Sequence, residues 1–283
     1  MVRALGMPSV LAALIAGHLF FTFQLQSKRV EIAKQGDELR LFPPAALKFL
    51  ALDYRGLVAD LIFSRTLSFY GGVGKRGETL DARAWQAIYF RLDAASKLDP
   101  YFVDPYYFGQ AVLPWDAHMP KEANALLDRG RRFRSDDWVI PFFMGFNAFY
   151  FLHDKAQAAS YLMEAARRPG ASPIVGLLAA RLASKSGTTE VAIGFLDQLA
   201  ARTEDRKTRE EIQRRADALR GIAVLEQAVA RHRAAFGAVP PDLRALVDRG
   251  VLPTLPVDPY GGTYYITPDG TVWTTSDLRP VAR

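Results

Sequence analysis

Two stretches of this sequence, MGFNAFYFLHDKAQAASYLMEA (144–165) and LAARLASKSGTTEVAIGFLDQL (178–199), carry small and large apolar residues in the same order. Every matched position lies 34 residues from its counterpart, and a fixed period of this length indicates a repeated structural unit. The matched positions are Met144, Gly145, Ala158, Leu162 and Ala165, followed by Leu178, Ala179, Ala192, Leu196 and Leu199.

The same phase extends towards the amino terminus, through Gly109, Ala123, Leu127 and Gly130 and then through Ile88, Leu92 and Ala95. Turn-forming or helix-breaking residues close the units at 99–100, 134–137, 169–170 and 203–205. Between these breaks each unit contains two apolar stretches with helical spacing. The pattern therefore predicts about four helical hairpins, each made of a first helix and a second helix.

Several helix starts are marked chemically. Pro120 and Pro173 suit the first turn of a helix, and Ser172 offers an N-cap hydroxyl just before the second of these prolines. Asp136 and Asp137 place carboxylates at the positive end of a helix that begins near Trp138. We expect the small residues of the period where the two helices of a hairpin approach closely, and Leu127, Leu162 and Leu196 between hairpins.

The period, the small residue on the first helix and the alanine and large apolar residue on the second helix resemble tetratricopeptide repeats. The resemblance covers residues 45–203 and departs from the family pattern in the first unit, where 46–72 forms an unusually long apolar helix. It implies a right-handed superhelix of stacked hairpins, with a groove lined by the first helices that binds extended peptides or helices.

The predicted groove carries polar and aromatic residues that suit a peptide with an acidic or amide-rich face. We expect partner contacts from Tyr106, Gln110, Asn147, Tyr150, Arg181 and Lys185. Between residues 101 and 151 the chain also holds fourteen aromatic residues. Most should be core or repeat interface, and the remainder would leave an apolar patch for a partner or a membrane surface.

A charge-free stretch, residues 4–23, is long enough as a helix to cross the roughly 30 Å hydrocarbon layer of a bilayer. Residues 1–27 are therefore predicted to be an uncleaved signal anchor, with a linker over 28–44 and the bilayer itself as a partner of 4–23. The basic residues Lys28, Arg29 and Lys34 favour a cytoplasmic body, although long domains often cross regardless of such charges. Topology consequently depends on what the body does.

Beyond the repeats, residues 204–237 read as one long helix with a capping box from Thr208 to Glu211 and a stop at Gly237. Residues 238–283 then predict a short helix and a β-hairpin with a turn at 268–270. Together these elements indicate a small α+β tail packed on the long helix.

The tail resembles the globular half of the major pseudopilin of type II secretion systems. The residues that carry the resemblance are Pro256, Asp258, Pro259, Tyr260, Gly261, Tyr264, Asp269 and Gly270. The resemblance implies partner contacts through Tyr260 and Tyr264, but the chain lacks the leader with its cleavage site and the calcium loop of that family. We therefore expect neither a processed pilin subunit nor a metal site. The tail could mimic a pseudopilin or simply cap the last apolar face of the repeats.

Composition narrows the chemistry. Of 283 residues none is cysteine and four are histidine, so thiolate catalysis and cysteine-based metal sites are excluded and a histidine-rich centre is disfavoured. The net charge of +6 comes from interspersed charges of both signs, which gives no reason to expect nucleic acid. The glycine-rich segment 71–79 lacks phosphate-loop spacing and is predicted to be a flexible connection. Asp116 and His118 form an isolated pair, and we expect no cofactor.

These observations predict a mainly α protein, a tetratricopeptide-like solenoid of helical hairpins with an amino-terminal transmembrane helix and a small carboxy-terminal α+β tail. The expected function is a non-enzymatic scaffold in the bacterial inner membrane, single-pass with a periplasmic body. Its expected partners are proteins, including pilin or pseudopilin-like subunits, during assembly of a type IV pilus or type II secretion-like machine. Two alternatives remain open, a cytoplasmic-facing membrane adaptor and an enzyme with an unrecognised site in the groove.

Overall fold

The computed structural model describes residues 15–18, 20–22, 44–77 and 79–279. Most of the predicted anchor (1–27) and nearly all of the linker (28–44) lie outside these residues. Within the described part of the chain, no helix combines the length and the apolar composition required to cross a bilayer.

The described chain is mainly helical and ends in a small antiparallel sheet, as predicted. Its helices are α1 (Pro44–Ala51), α2 (Arg55–Arg76), α3 (Ala82–Leu98), α4 (Asp104–Val112), α5 (Pro120–Phe133), α6 (Val139–Tyr150), α7 (Lys155–Arg167), α8 (Pro173–Lys185), α9 (Thr189–Arg202), α10 (Arg206–Phe236) and α11 (Arg244–Asp248). The strands are β1 (Tyr264–Ile266) and β2 (Val272–Thr274).

Consecutive helices pack against each other throughout the series from α2 to α10. The helices α4, α6, α8 and α10 begin 35, 34 and 33 residues apart, and α5, α7 and α9 begin 35 and 34 residues apart. The spacing of the helix starts thus follows the period found in the sequence. We call α4, α6 and α8 first helices and α5, α7 and α9 second helices.

The three turns between a first and a second helix share a left-handed residue and a closing hydrogen bond, which spans six residues in the first two turns and five in the third. The residue before the N-cap is left-handed in each turn, at His118 (φ 55°), His153 (φ 55°) and Gly187 (φ 82°). The N-cap N–H then donates to a carbonyl near the end of the first helix, in the pairs Met119–Leu113 (2.8 Å), Asp154–Ala148 (2.8 Å) and Thr188–Ala183 (3.0 Å). A left-handed residue just before the N-cap therefore accompanies the chain reversal in all three units.

The capping signals predicted for the helix starts agree with the structure, with two exceptions. Pro120 and Pro173 occupy the first turn of α5 and α8, as predicted. Ser172 is the N-cap of α8, but its hydroxyl makes no capping hydrogen bond. The predicted capping box at the start of the long helix is wrong, because α10 begins earlier, where the Asp205 carboxylate accepts the N–H of Thr208 at 2.7 Å.

The first unit differs from the sequence prediction. The expected single apolar helix is divided into α1, a 3-10 turn (Leu52–Tyr54) and α2. The predicted flexible connection over 71–79 is also wrong for most of its length, because α2 continues through Gly71 and Gly74 and ends at the left-handed Gly77. Each interior glycine costs a helix only about 1 kcal/mol, and burial of Val73 between them opposes that cost.

The small residues of the period lie where helices approach closely. A Cβ atom at Gly145 would stand 2.8 Å from Leu162 Cγ and 3.1 Å from the carbonyl oxygen of Ala158. Glycine is therefore required for α6 to reach α7 at this distance. The predicted inter-hairpin leucines are buried, namely Leu127, Leu162 and Leu196.

Two arginines join successive units through backbone carbonyls. Arg134 donates to the carbonyl of Tyr101 at 2.8 Å, and Arg168, 34 residues later, donates to the carbonyls of Arg134 and Asp137 at 2.8 and 2.7 Å. Hydrogen bonds from charged donors contribute roughly 1.5–3 kcal/mol each. The closing turn of each unit is thereby tied to the closing turn of the unit before it.

The tail packs on α10, as predicted. β1 pairs with β2 in the register Tyr264–Thr274, Tyr265–Trp273 and Ile266–Val272. The buried Tyr264 hydroxyl donates to the carbonyl of Ala218 on α10 at 2.9 Å. Gly221 makes this contact possible, because a Cβ there would lie 2.8 Å from Tyr264 Cζ.

Candidate functional site

Five of the eight predicted partner-binding residues are buried, so the expectation that they line an open surface is corrected. Tyr106, Gln110, Asn147, Tyr260 and Tyr264 all expose 7% or less of their surface. Each has a hydrogen-bond partner within the chain, which removes the cost of burying its polar atoms. Tyr150, Arg181 and Lys185 remain accessible.

A network of buried amides joins the first helices α4 and α6. Gln110 and Asn147 exchange two hydrogen bonds, of 3.1 and 2.7 Å, and Asn147 also donates to Asn124 on α5 at 2.9 Å. Amides buried in this way must keep their partners, so the network allows only one register of the two helices. That register determines how the carboxy-terminal ends of α4 and α6 meet.

The ends of α4 and α6 meet in a group of five aromatic residues, which we call the aromatic patch: Trp115, Phe146, Phe149, Tyr150 and Phe151. The Trp115 ring lies 5.4 Å from Tyr150 and 4.9 Å from Phe151, and Phe146 stacks on Tyr150 at 5.5 Å and 10°. These distances are typical of favourable aromatic pairs.

Much of the aromatic patch is nevertheless accessible to solvent. Trp115 exposes 47% of its surface, Tyr150 51% and Phe149 44%. Tryptophan and tyrosine are the residues most enriched at the energetic centres of protein interfaces. The aromatic patch therefore has the composition of an interaction surface that the described chain leaves uncovered.

The turn that carries Trp115 is held from the first unit. The Tyr70 hydroxyl on α2 donates to the Asp116 carboxylate at 2.9 Å. Partial burial, and then the hydrogen bond to Asp116, raise the pKa of Tyr70 above its usual value. The hydrogen bond from Tyr70 to Asp116 thus holds the turn next to Trp115.

The equivalent end of α8 is covered by the tail. Asp277 accepts hydrogen bonds from Arg181, from Lys185 at 3.1 Å and from the Trp273 indole at 3.0 Å. The Lys185 ammonium also lies 4.6 Å from the centre of the Trp273 ring, a cation–π distance. The two predicted groove cations of α8 therefore bind an acidic segment of their own chain.

Electrostatics favours the ionised form of Asp277. Partial burial alone would raise the pKa of its carboxyl, but the hydrogen bonds from Arg181, Trp273 and Lys185 outweigh burial and lower the pKa to about 2. The carboxylate is consequently ionised over the physiological range, which keeps this contact of the tail with α8 intact.

The covered and uncovered ends occupy equivalent positions of the repeat. Trp115 and Tyr150 lie 35 residues apart at corresponding positions of their units, and Lys185, the last residue of α8, lies one residue after the position that corresponds to Tyr150. At Lys185 the position is occupied by the tail residues Trp273 and Asp277. At Trp115 and Tyr150 the described chain supplies no such cover.

The tail's own tyrosines hold it to α10. The Tyr260 hydroxyl donates to Glu211 at 2.6 Å and accepts a hydrogen bond from Arg215 at 3.1 Å. Burial is the main cause that raises the pKa of Tyr260 to about 12, and burial likewise raises the pKa of Tyr264. Tyr260 and Tyr264 are therefore internal anchors of the tail.

Asp258, within the segment that resembles pseudopilins, is also internal. Its carboxylate accepts the N–H of Tyr260 at 2.9 Å and the hydroxyl of Ser276 at 2.6 Å, and it contacts the hydroxyl of Thr274. It is 3% exposed. Asp258 therefore closes the loop onto β2.

A cleft of about 550 Å³ lies between α5 and α7, near the amide network. Two carboxylates at its wall are already engaged, because Asp154 caps α7 through the N–H of Gln157 and Asp128 binds Arg131 and Arg132. Among the described residues, no group of three or more acidic or histidine side chains is placed to hold a metal ion. The aromatic patch is therefore the stronger candidate site.

Sequence reasoning counted Trp115 among the aromatic residues but did not single it out. The signal that identifies it is the repeat itself, since Trp115 stands 35 residues before Tyr150, which was singled out. Comparison with protein-family models, curated proteins and solved structures finds no match to this chain.

Proposed function

We propose that the protein is a non-enzymatic, membrane-anchored scaffold whose tetratricopeptide-like repeats hold an extended segment of a protein partner against the aromatic patch. The observation that carries the proposal is the occupied end of α8. There the chain binds its own tail through Lys185, while the equivalent ends of α4 and α6 expose Trp115 and Tyr150.

The tetratricopeptide-like interpretation is supported by the helix starts, which recur every 33–35 residues, and by the turn that repeats three times. In such solenoids the first helices of successive units lie side by side and form an extended binding surface. The 5.4 Å distance between the Trp115 and Tyr150 rings agrees with that arrangement. A peptide lying across both ends could bury two large aromatic side chains at once.

The remaining parts of the proposal come from the sequence. Residues 4–23 would hold the protein in the bacterial inner membrane with its body in the periplasm. The tail's likeness to a pseudopilin suggests pilin or pseudopilin-like partners in a pilus or secretion-like assembly. Since the tail's tyrosines are buried against α10, the tail would act as a structural cap, and the partner would bind at the aromatic patch.

Photo-crosslinking in intact cells tests the proposed surface. A photoreactive phenylalanine analogue at Tyr150 should give discrete protein adducts that Trp115→Ala strongly reduces, because truncation at the centre of an interface costs about 2 kcal/mol or more. The matched control places the analogue at Val191, an exposed apolar residue of α9. Equal adducts at both positions, or none at Tyr150, would refute the aromatic patch as the binding surface.

A reporter fused after Arg283 tests topology. A reporter that is active only in the periplasm should give signal. Activity of a cytoplasm-only reporter would instead establish the adaptor alternative and remove the periplasmic assembly from the proposal.

A further inference from the structure

Helix α2 is apolar on two opposite faces. Its inward residues Ala59, Ile62 and Phe63 are buried against the rest of the protein. On its other side Leu57 exposes 66% and Leu61 50% of their surfaces. The described chain covers only the inward side of α2, so these two leucines lie uncovered.

The exposed side continues into the segment before α2. Phe49 is 78% exposed, Leu52 65% and Tyr54 70%. The positions 54, 57 and 61 follow helical spacing and so share one side of the chain. We call Phe49, Leu52, Tyr54, Leu57 and Leu61 the N-terminal apolar face. Single exposed apolar residues are ordinary, whereas several large exposed apolar residues close together in the sequence indicate an interaction surface.

The two ends of the helical series differ in this respect. At the carboxy-terminal end the tail packs on α10 through Tyr260 and Tyr264. At the amino-terminal end α1 packs on α2 and α3 through Ala51, but it leaves Phe49 and the outward leucines of α2 uncovered among the described residues. Stacked repeats need terminal caps with polar outer faces to remain soluble, so the N-terminal apolar face requires a covering from outside the described part of the protein.

We propose that the N-terminal apolar face rests in the surface of the bilayer, where the basic residues beside it contact anionic lipid headgroups. The inference rests on the membrane anchoring of the proposed function. The charge-free stretch ends at residue 23 and α1 begins at Pro44, so only the 20 residues 24–43 separate the predicted membrane segment from this face. Such a tether gives a high effective concentration and permits docking without high intrinsic affinity.

Charge and composition favour lipid as the occupant. Between residues 44 and 76 the sequence has five Lys or Arg residues and two Asp residues. Lys48, Arg55 and Arg65 are exposed, and basic residues near an anionic surface are attracted to it. Leucine and aromatic side chains flanked by Lys and Arg are typical of helices that lie in a membrane interface.

Because the chain has no cysteine, a single introduced cysteine reports on one position of the full-length protein. Leu57→Cys carrying an environment-sensitive fluorophore is reconstituted into vesicles of phosphatidylethanolamine and phosphatidylglycerol. We expect its emission to shift to shorter wavelength and to be quenched by nitroxide-labelled lipid. The matched control is Val191→Cys on α9, which is similarly exposed (59%) and should keep the emission of a water-exposed label.

Charge reversal and lipid composition complete the test. Lys48→Glu with Arg55→Glu, both at exposed positions, should abolish the shift at Leu57 without changing the circular dichroism spectrum. Vesicles without phosphatidylglycerol should reduce the shift.

The outcomes separate this inference from the proposed function. Flotation of the protein with vesicles together with a water-like label at Leu57 would refute docking and leave anchoring intact. Loss of flotation would refute both. Shielding of Leu57 in native membranes but not in pure lipid vesicles would replace the bilayer by a protein occupant and overturn the inference.

Discussion

Replacement of Gly221 by alanine tests the packing of the tail on α10. In an exposed helix interior this substitution stabilises a protein by about 1 kcal/mol, because alanine restricts the unfolded chain and favours helix. At Gly221 the added Cβ would lie 2.8 Å from Tyr264 Cζ and 3.2 Å from Cε2. Real Cβ atoms do not approach carbon this closely, so the tyrosine must move.

The magnitude follows from what Tyr264 loses. Displacing its hydroxyl breaks the buried hydrogen bond to the carbonyl of Ala218, which costs about 1–3 kcal/mol. Overpacking of the ring contributes about 1–3 kcal/mol. After the gain in helix propensity is subtracted, Gly221→Ala should lower the free energy of unfolding by about 2 kcal/mol.

Gly194 on α9 offers a matched control, because it is an exposed glycine inside a helix and its added Cβ would meet no atom within 4 Å. Gly194→Ala should therefore raise the stability by about 1 kcal/mol. Urea unfolding of the full-length variants in detergent micelles measures both effects. Hydrogen exchange of β1 and β2 locates the loss, since amide protection should fall there first.

A double variant sharpens the test. Tyr264→Phe removes the atom nearest to the new methyl group, so Gly221→Ala should cost less in its presence, with a coupling of about 1 kcal/mol. If Gly221→Ala stabilises the protein as much as Gly194→Ala does, the described packing of the tail is refuted.

Three further predictions concern the tail, the amide network and the repeated turn. Asp277→Asn should destabilise the protein by about 1 kcal/mol near neutral pH, a value reduced from the full pKa shift because the side chain is 37% exposed. Since the pKa of Asp277 is lowered to about 2 in the folded protein, this stabilisation is present above about pH 4 and is lost as the pH falls towards 2. Thermal unfolding of the wild-type protein and of Asp277→Asn at a series of pH values measures the difference. Asn147→Leu should lower the free energy of unfolding in urea by about 2–3 kcal/mol, because it leaves the Gln110 amide buried without its partner. Adding Gln110→Leu should recover part of this loss. A double variant that recovers no stability would contradict the network. His153→Gly should stabilise the protein by about 0.5 kcal/mol, since a left-handed histidine costs roughly 1–2 kcal/mol and the added glycine entropy offsets part of the relief; thermal denaturation that shows a loss would contradict strain at this turn.

The helical part of the fold was accessible from the sequence because its signals are local. Pro120 and Pro173 mark helix starts, Gly237 marks a helix end and the 34-residue spacing marks the units. Where local signals compete, the prediction failed. Asp205 lies only three residues before Thr208, and both residues can cap a helix, so sequence alone could not decide which one begins α10.

The candidate site was harder to predict from the sequence, because the polarity of a residue does not show whether its side chain points into the protein or into the solvent. Gln110 and Asn147 look like surface residues in the sequence, yet each satisfies the other inside the protein. Arg181 was expected to bind an acidic partner segment, and the acidic group that it binds, Asp277, comes from 96 residues further along its own chain. Contacts across such separations depend on how the tail folds back, which no local pattern encodes.

The closed end at α10 also limits how copies of this chain can associate. Stacked helical hairpins can grow into filaments when the last unit of one molecule packs on the first unit of the next. The contact between the two molecules then repeats the contact between neighbouring units of one molecule. Here the segment with Tyr260 and Tyr264 already occupies α10, so an incoming molecule finds no free terminus there on which to continue the series. Covering the carboxy-terminal end is therefore enough to block head-to-tail polymerisation. The exposed leucines of α2 at the other end can then remain uncovered by protein without starting fibres.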